Sequence, residues 1–137
     1  KPWAKVTNLG GGCAGLFGPP QAFIGGALPI VGGAPFSFVL ANAAPNAPSL
    51  LILGVETPGG WIIPGTTCLA MVEPFDYLFF PATSGPFGTA LLTFELPNIP
   101  ALIGFPIASQ WIVTDESGAL GLFSMTNGLR LRLGIAP

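Results

Sequence analysis

Few side chains in this sequence could do chemistry, and one kind is missing altogether. There is no histidine. The carboxylates are Glu56, Glu73, Asp76, Glu95, Asp115 and Glu116; beside them stand Cys13 and Cys68 and the indoles of Trp3, Trp61 and Trp111. Without an imidazole there is no Ser-His-Asp or Cys-His pair to activate a nucleophile. Glycoside cleavage needs two carboxylates facing each other across a cleft. Glu73 and Asp76 are close in sequence and Asp115 and Glu116 are adjacent, but DESG at 115–118 reads more simply as a solvated acidic turn. Asp115, Glu116 and Ser117 could offer oxygens to calcium, yet the alternating acids of a calcium loop are absent. The chain is read as a non-enzyme with no cofactor and no metal.

The cysteines and indoles leave binding and cross-linking. Two cysteines without histidine cannot close a tetrahedral zinc site. One disulfide spanning a long loop is the expected state, which implies an oxidising compartment; two buried thiols are the alternative. Aromatic faces stack on pyranose rings, so the tryptophans are candidates for sugar contact. Trp111 lies in the apolar run SQWIV and belongs to a core or an interface, whereas Trp61 follows PGG and is the best exposed candidate. No Asn-x-Ser/Thr sequon occurs, so N-glycosylation is not expected. Thr66, Thr67, Thr83 and Ser84 stand in loop-like contexts where O-linked glycan could attach.

The elements that must position these residues read as strands. Short apolar or alternating runs are punctuated by Gly, Pro and Asn, and helical periodicity is lacking. Strands are expected near 3–8, 27–31, 36–42, 49–56, 67–73, 77–80, 88–96, 107–114, 121–126 and 128–133. FSFVLAN puts Phe36, Phe38 and Leu40 on one face; TALLTFEL puts Leu92, Phe94 and Leu96 on one face. LRLRLG turns Leu129, Leu131 and Leu133 inward and Arg130 and Arg132 outward. SLLILGV is apolar on both faces, as befits a central strand or one covered by another subunit. One short helix is expected near 98–104, with Asn98 as cap, Pro100 in the first turn and Gly104 closing it. Asn127-Gly128 fits either a tight hairpin turn or a bulge in one long strand. The fold class is all-β, a β-sandwich of jelly-roll or immunoglobulin-like type.

Composition raises the question of what covers the surface. The 137 residues suit one domain, but charged residues make up 7% against about 25% in ordinary domains. Gly and Pro number 20 and 16 and interrupt every apolar run, so no stretch reaches the roughly 20 residues of a membrane-spanning helix. A net charge of −2 offers no footprint for nucleic acid. Neighbouring protein or attached glycan is left to cover the apolar exterior. The chain starts at Lys1 with no methionine, as a processed mature end or a trimmed chain would, and no signal peptide is legible.

Five ordered segments carry a resemblance. They are GGGCAG at 10–15, APNAPSLLILG at 44–54, PGTTCLAMV at 64–72, NIPALIGFPIASQWIVTD at 98–115 and LFSMTNGLRLRLG at 122–134. Together they resemble a Cys-pair β-sandwich domain recurrent in exported proteins of environmental bacteria. The resemblance spans nearly the whole chain. It implies an extracellular β-sandwich and pairing of Cys13 with Cys68, and it implies no catalytic residues. In kind, though not in motif, the neutral chain is also similar to subunits of extracellular fibrils.

The expected function is that of a structural subunit of an extracellular or cell-surface filament, with copies of itself as partner. Residues 1–12 form an N-terminal arm and hinge and 13–137 one sandwich domain. In this reading Trp3 and Val6 anchor the arm in the next subunit, and Gly10, Gly11 and Gly12 let it swing. The alternative for the arm is an ordinary edge strand on its own sheet. A secreted carbohydrate-binding or adhesion module using Trp61 is the alternative function, with glycans as partners.

Overall fold

The computed structural model describes residues 2–137, apart from the side chains at positions 75 and 76. Nine strands form: β1 (Lys5–Gly10), β2 (Gln21–Gly26), β3 (Phe36–Ala41), β4 (Pro48–Ile62), β5 (Leu69–Thr83), β6 (Ala90–Phe94), β7 (Pro106–Ala119), β8 (Phe123–Met125) and β9 (Gly128–Arg132). They make two sheets. The larger has the order β1-β9-β7-β4-β5, with β8 also paired to β7; the smaller has the order β2-β3-β6. All strand pairs are antiparallel. The architecture is a β-sandwich.

Alternation places the core between the sheets. Phe36, Phe38 and Leu40 of β3 are buried, and they meet Leu51 of β4, Trp111 and Val113 of β7, and Leu129 and Leu131 of β9. Leu92, Phe94 and Leu96 pack against the same cluster. Phe38 and Phe80 each set a ring edge to Phe94, at centroid distances of 5.4 and 5.3 Å. Trp111 is 1% exposed, which settles it as core. Burying each such side chain contributes about 1.5–3 kcal/mol.

A second, smaller core forms because β4 and β5 are longer than the sheet needs. Ser49–Gly54 pair with β7, but beyond Gly54 the register with β5 shifts, and Trp61 and Ile62 pair with Ala70 and Leu69. This distal half of the hairpin packs on the face of the large sheet that points away from the small one. Cys68, Ala70 and Trp61 cover Ile112, Phe123 and Met125 there.

Several boundaries differ from the sequence-based expectation. The stretch near 27–31 is irregular, and the strand lies at 21–26 instead, where QAFIGG pairs residue for residue with β3. The runs at 67–73 and 77–80 belong to the single strand β5. The short helix near 98–104 is only a 3-10 turn, Pro100–Leu102. Ile99, not Asn98, precedes it, with no side-chain cap. Two i→i+3 bonds, Leu102 to Ile99 and Ile103 to Pro100, are too few to nucleate an α-helix. Asn127-Gly128 is not a hairpin turn. It lies between β8 and β9, which pair in succession along one side of β7 and so form one interrupted strand. The hairpin turn is at Leu120-Gly121, both with positive φ.

Candidate functional site

The residues that looked chemical are mostly committed to the fold. Asp115 is buried; one carboxylate oxygen accepts from the Leu16 N–H at 2.8 Å and the other from the Ser117 N–H at 2.8 Å. It is an anchor for the loop after Cys13, which corrects its reading as a solvated turn. Glu73 is exposed on β5, and the Asp76 side chain lies outside the described residues. Among the described residues no three His, Cys, Asp or Glu side chains cluster to hold a metal.

Cys13 and Cys68 form a disulfide, with Cα atoms 4.7 Å apart. It ties the distal end of the β4–β5 hairpin to the segment after the glycines. That segment is tightly packed. The Gly12 N–H donates to the Leu69 carbonyl and the Leu69 N–H to that of Gly12. Gly12 has φ +87°, and a Cβ there would collide with the Met125 and Thr126 carbonyl oxygens. Gly10 and Gly11 also have positive φ, so the three glycines form a fixed corner in this chain.

Residues 5–10 of the proposed arm are β1, paired to β9 of the same chain with Val6 opposite Leu131. Val6 packs on the main core, whereas Trp3 is 40% exposed and its carbonyl accepts from Arg132 Nε at 2.7 Å. Trp61 is half-buried against the second core and donates its indole N–H to the Val72 carbonyl at 3.2 Å, so one edge of the ring is already engaged. The glycan candidates divide. Thr66 bonds the Ile63 carbonyl and the Cys68 N–H, and Ser84 is buried and bonds Ala44 and Ala47. Thr67 and Thr83 are exposed.

Sequence reasoning missed the buried polar hub. Gln110 lies on β7 beneath the folded-back hairpin. Its carbonyl accepts from the Met71 N–H at 2.8 Å, and its amide donates to the Leu69 and Thr126 carbonyls. Asn127, at the bulge, accepts from the Ala22 N–H and donates to the Ala22 carbonyl and to Asn8, joining both sheets and β1. A polar residue inside an apolar run, as in SQWIV, was the available signal.

The surface left for recognition is apolar. β5 is an edge strand, and its outer half carries Tyr77, Leu78 and Phe79, the last two 66% and 60% exposed. No charge occurs from 77 to 83. Where the hairpin bends away, a groove of about 760 Å3 is lined by Leu53, Val55, Tyr77, Leu78, Phe105 and Ile107. Glu56 and Arg130 also line it, joined by a two-pronged ion pair with Nε–Oε1 2.6 Å and Nη2–Oε2 3.0 Å. The Arg130 hydrogen bond holds the Glu56 carboxyl below its usual range. The uncharged run YLFFPAT was legible in the sequence as an apolar strand, but its place at the edge was not.

No family model, no curated protein and no solved structure matches the chain.

Proposed function

We propose that the protein is a structural subunit of an extracellular filament or surface assembly, non-enzymatic, that associates head to tail with copies of itself. One observation carries this reading: the exposed apolar strip Tyr77–Phe79, a stretch without charge or proline on the edge strand β5. Sheet edges in freely dispersed proteins are usually guarded by charge, bulges or covering loops, and an unguarded edge is a template for another chain. Further support comes from the wider surface, where Phe17, Phe87, Leu91 and Phe105 are also exposed and ten charged side chains serve the whole chain. The disulfide fits the oxidising exterior where such assemblies stand. Pairing the unlike edges, β1 of one copy with β5 of the next, is a heterologous contact, which builds a fibre where its rotation does not close into a ring. Donation of residues 1–9 into a neighbour is one form of that contact.

Negative-stain electron microscopy of the native, undenatured protein tests the proposal. Regular filaments are expected. Dispersed particles across a concentration series would overturn it and turn attention to a binding module.

A further inference from the structure

This inference rests on the assembly reading above and names its contact. Every cation among the described residues lies on the β1–β9 side of the large sheet: Lys5 on β1, Arg130 and Arg132 on β9. Arg130 is held by Glu56, and Arg132 is turned to the Trp3 carbonyl. The Arg130–Glu56 bridge is the one ion pair among the described residues. Lys5 is exposed and has no acidic partner among them. At the opposite edge, Glu73 is exposed where β5 leaves the sheet, also without a cationic partner among them.

The ladders fix how these edges would meet. One row crosses the large sheet through Thr7, Arg130, Ala108, Gly54 and Tyr77. Four successive antiparallel pairings separate β1 from β5, so the two edge strands point the same way. Moving a second copy sideways by one sheet width therefore lays its β1 parallel to β5 of the first. Continuing the row sets Thr7 of the second copy beside Tyr77 and, because β1 bulges between Asn8 and Gly10, Gly10 beside Phe79. Lys5 then faces the stretch between Val72 and Tyr77, where the β4–β5 register shifts and where Glu73 stands. Pro81, which has no N–H for a ladder, comes just after the point where β1 ends.

We infer that the occupant of the β5 edge is β1 of a second copy, added in parallel with β1 still paired to its own β9, and that Lys5 against Glu73 sets the register. Backbone hydrogen bonds and the apolar strip supply affinity; opposite charges at one end oppose slipped pairings. Five strands spaced about 4.8 Å give a subunit repeat of about 24 Å along the fibre.

Polymerisation of wild type, Lys5→Glu, Glu73→Lys and the double exchange is followed by sedimentation and electron microscopy at low and high salt. Each single variant is expected to raise the critical concentration about tenfold at low salt, and the double exchange to restore it. Single variants that match wild type, or a double exchange no better than either, would overturn the inference while filaments still upheld the assembly reading. Wild type without filaments would sink both. Thr7→Cys with Arg130→Cys, opposite one another, fastens β1 to β9, with each single cysteine variant as control. The cross-linked chain is expected to polymerise; a chain that stays monomeric only when cross-linked would show that β1 must leave home, and edge addition would fall.

Discussion

Gln110 shows how much one polar side chain can hold. Its amide bonds three backbone groups on β5 and at the β8–β9 bulge: the Met71 N–H and the Leu69 and Thr126 carbonyls, of which Leu69 also accepts from the Gly12 N–H. Gln110→Leu keeps the volume and takes this bond from the Met71 N–H and the Thr126 carbonyl, while Leu69 keeps its bond from Gly12, so a loss of about 2 kcal/mol is expected in denaturant unfolding. A loss below half of that would mean that water or a shift of the hairpin replaces the amide. Leu120 is the opposite case, a branched apolar residue at φ +54°, 62% exposed at a turn tip. Asn tolerates that conformation, and Leu120→Asn should stabilise by about 0.5–1 kcal/mol. Unchanged or lower stability would show that the leucine makes up for its backbone by packing. Glu56 adds a pH dependence. Its carboxyl is lowered from the usual 4.5 by the Arg130 hydrogen bond, so the folded form binds its proton less readily than the unfolded chain. The stabilisation is present above about 4.5 and lost as pH falls through the lowered value. Thermal melts from pH 6 to 2 should fall more steeply for wild type than for Glu56→Gln, and parallel curves would remove the ion pair from the account. The effect is modest, because the pair sits at the surface.

At the scale of elements, the long hairpin is the distinctive part. Its proximal half is ordinary sheet; its distal half is laid over the outer face and held by Gln110, by the Gly12–Leu69 bonds and by the disulfide. The cysteines are 55 residues apart, and closing such a loop stabilises by about 4 kcal/mol in the chain-entropy account. Cys13→Ser with Cys68→Ser should lose stability of that order while keeping the sandwich, since the main core lies between the sheets. Amide exchange should then quicken first at 61–72. Uniform quickening over both sheets would mean that the hairpin and the sandwich unfold as one unit.

At the scale of the whole molecule, the large sheet has two free edges of different character: β1 with cations beside it, and β5 with an apolar strip and Glu73. Polar neighbours are too few to shield the second. Removing residues 1–9 takes away one edge and leaves the other. Because Val6 is only partly buried, the truncated chain should still fold, and sedimentation should find it monomeric. Filaments from that variant would show that assembly runs through some other surface.

The fold class was legible in the sequence because period-two alternation is a local signal. FSFVLAN and LRLRLG declare an inner and an outer face with no knowledge of their partners, and both faces came out as expected. The low charge was equally plain, and with it the problem of the surface. Other features depend on what lies opposite. QAFIGG is a strand because β3 pairs with it, and PNIPALIG stays a 3-10 turn because its i→i+3 bonds are too few to propagate a helix. Asp115 looked solvated until the loop after Cys13 was folded against it. The free edges were least visible of all. Whether YLFFPAT lies in the middle of a sheet or at its rim is decided by strand order, a relation between residues far apart in sequence, which only the tertiary structure contains.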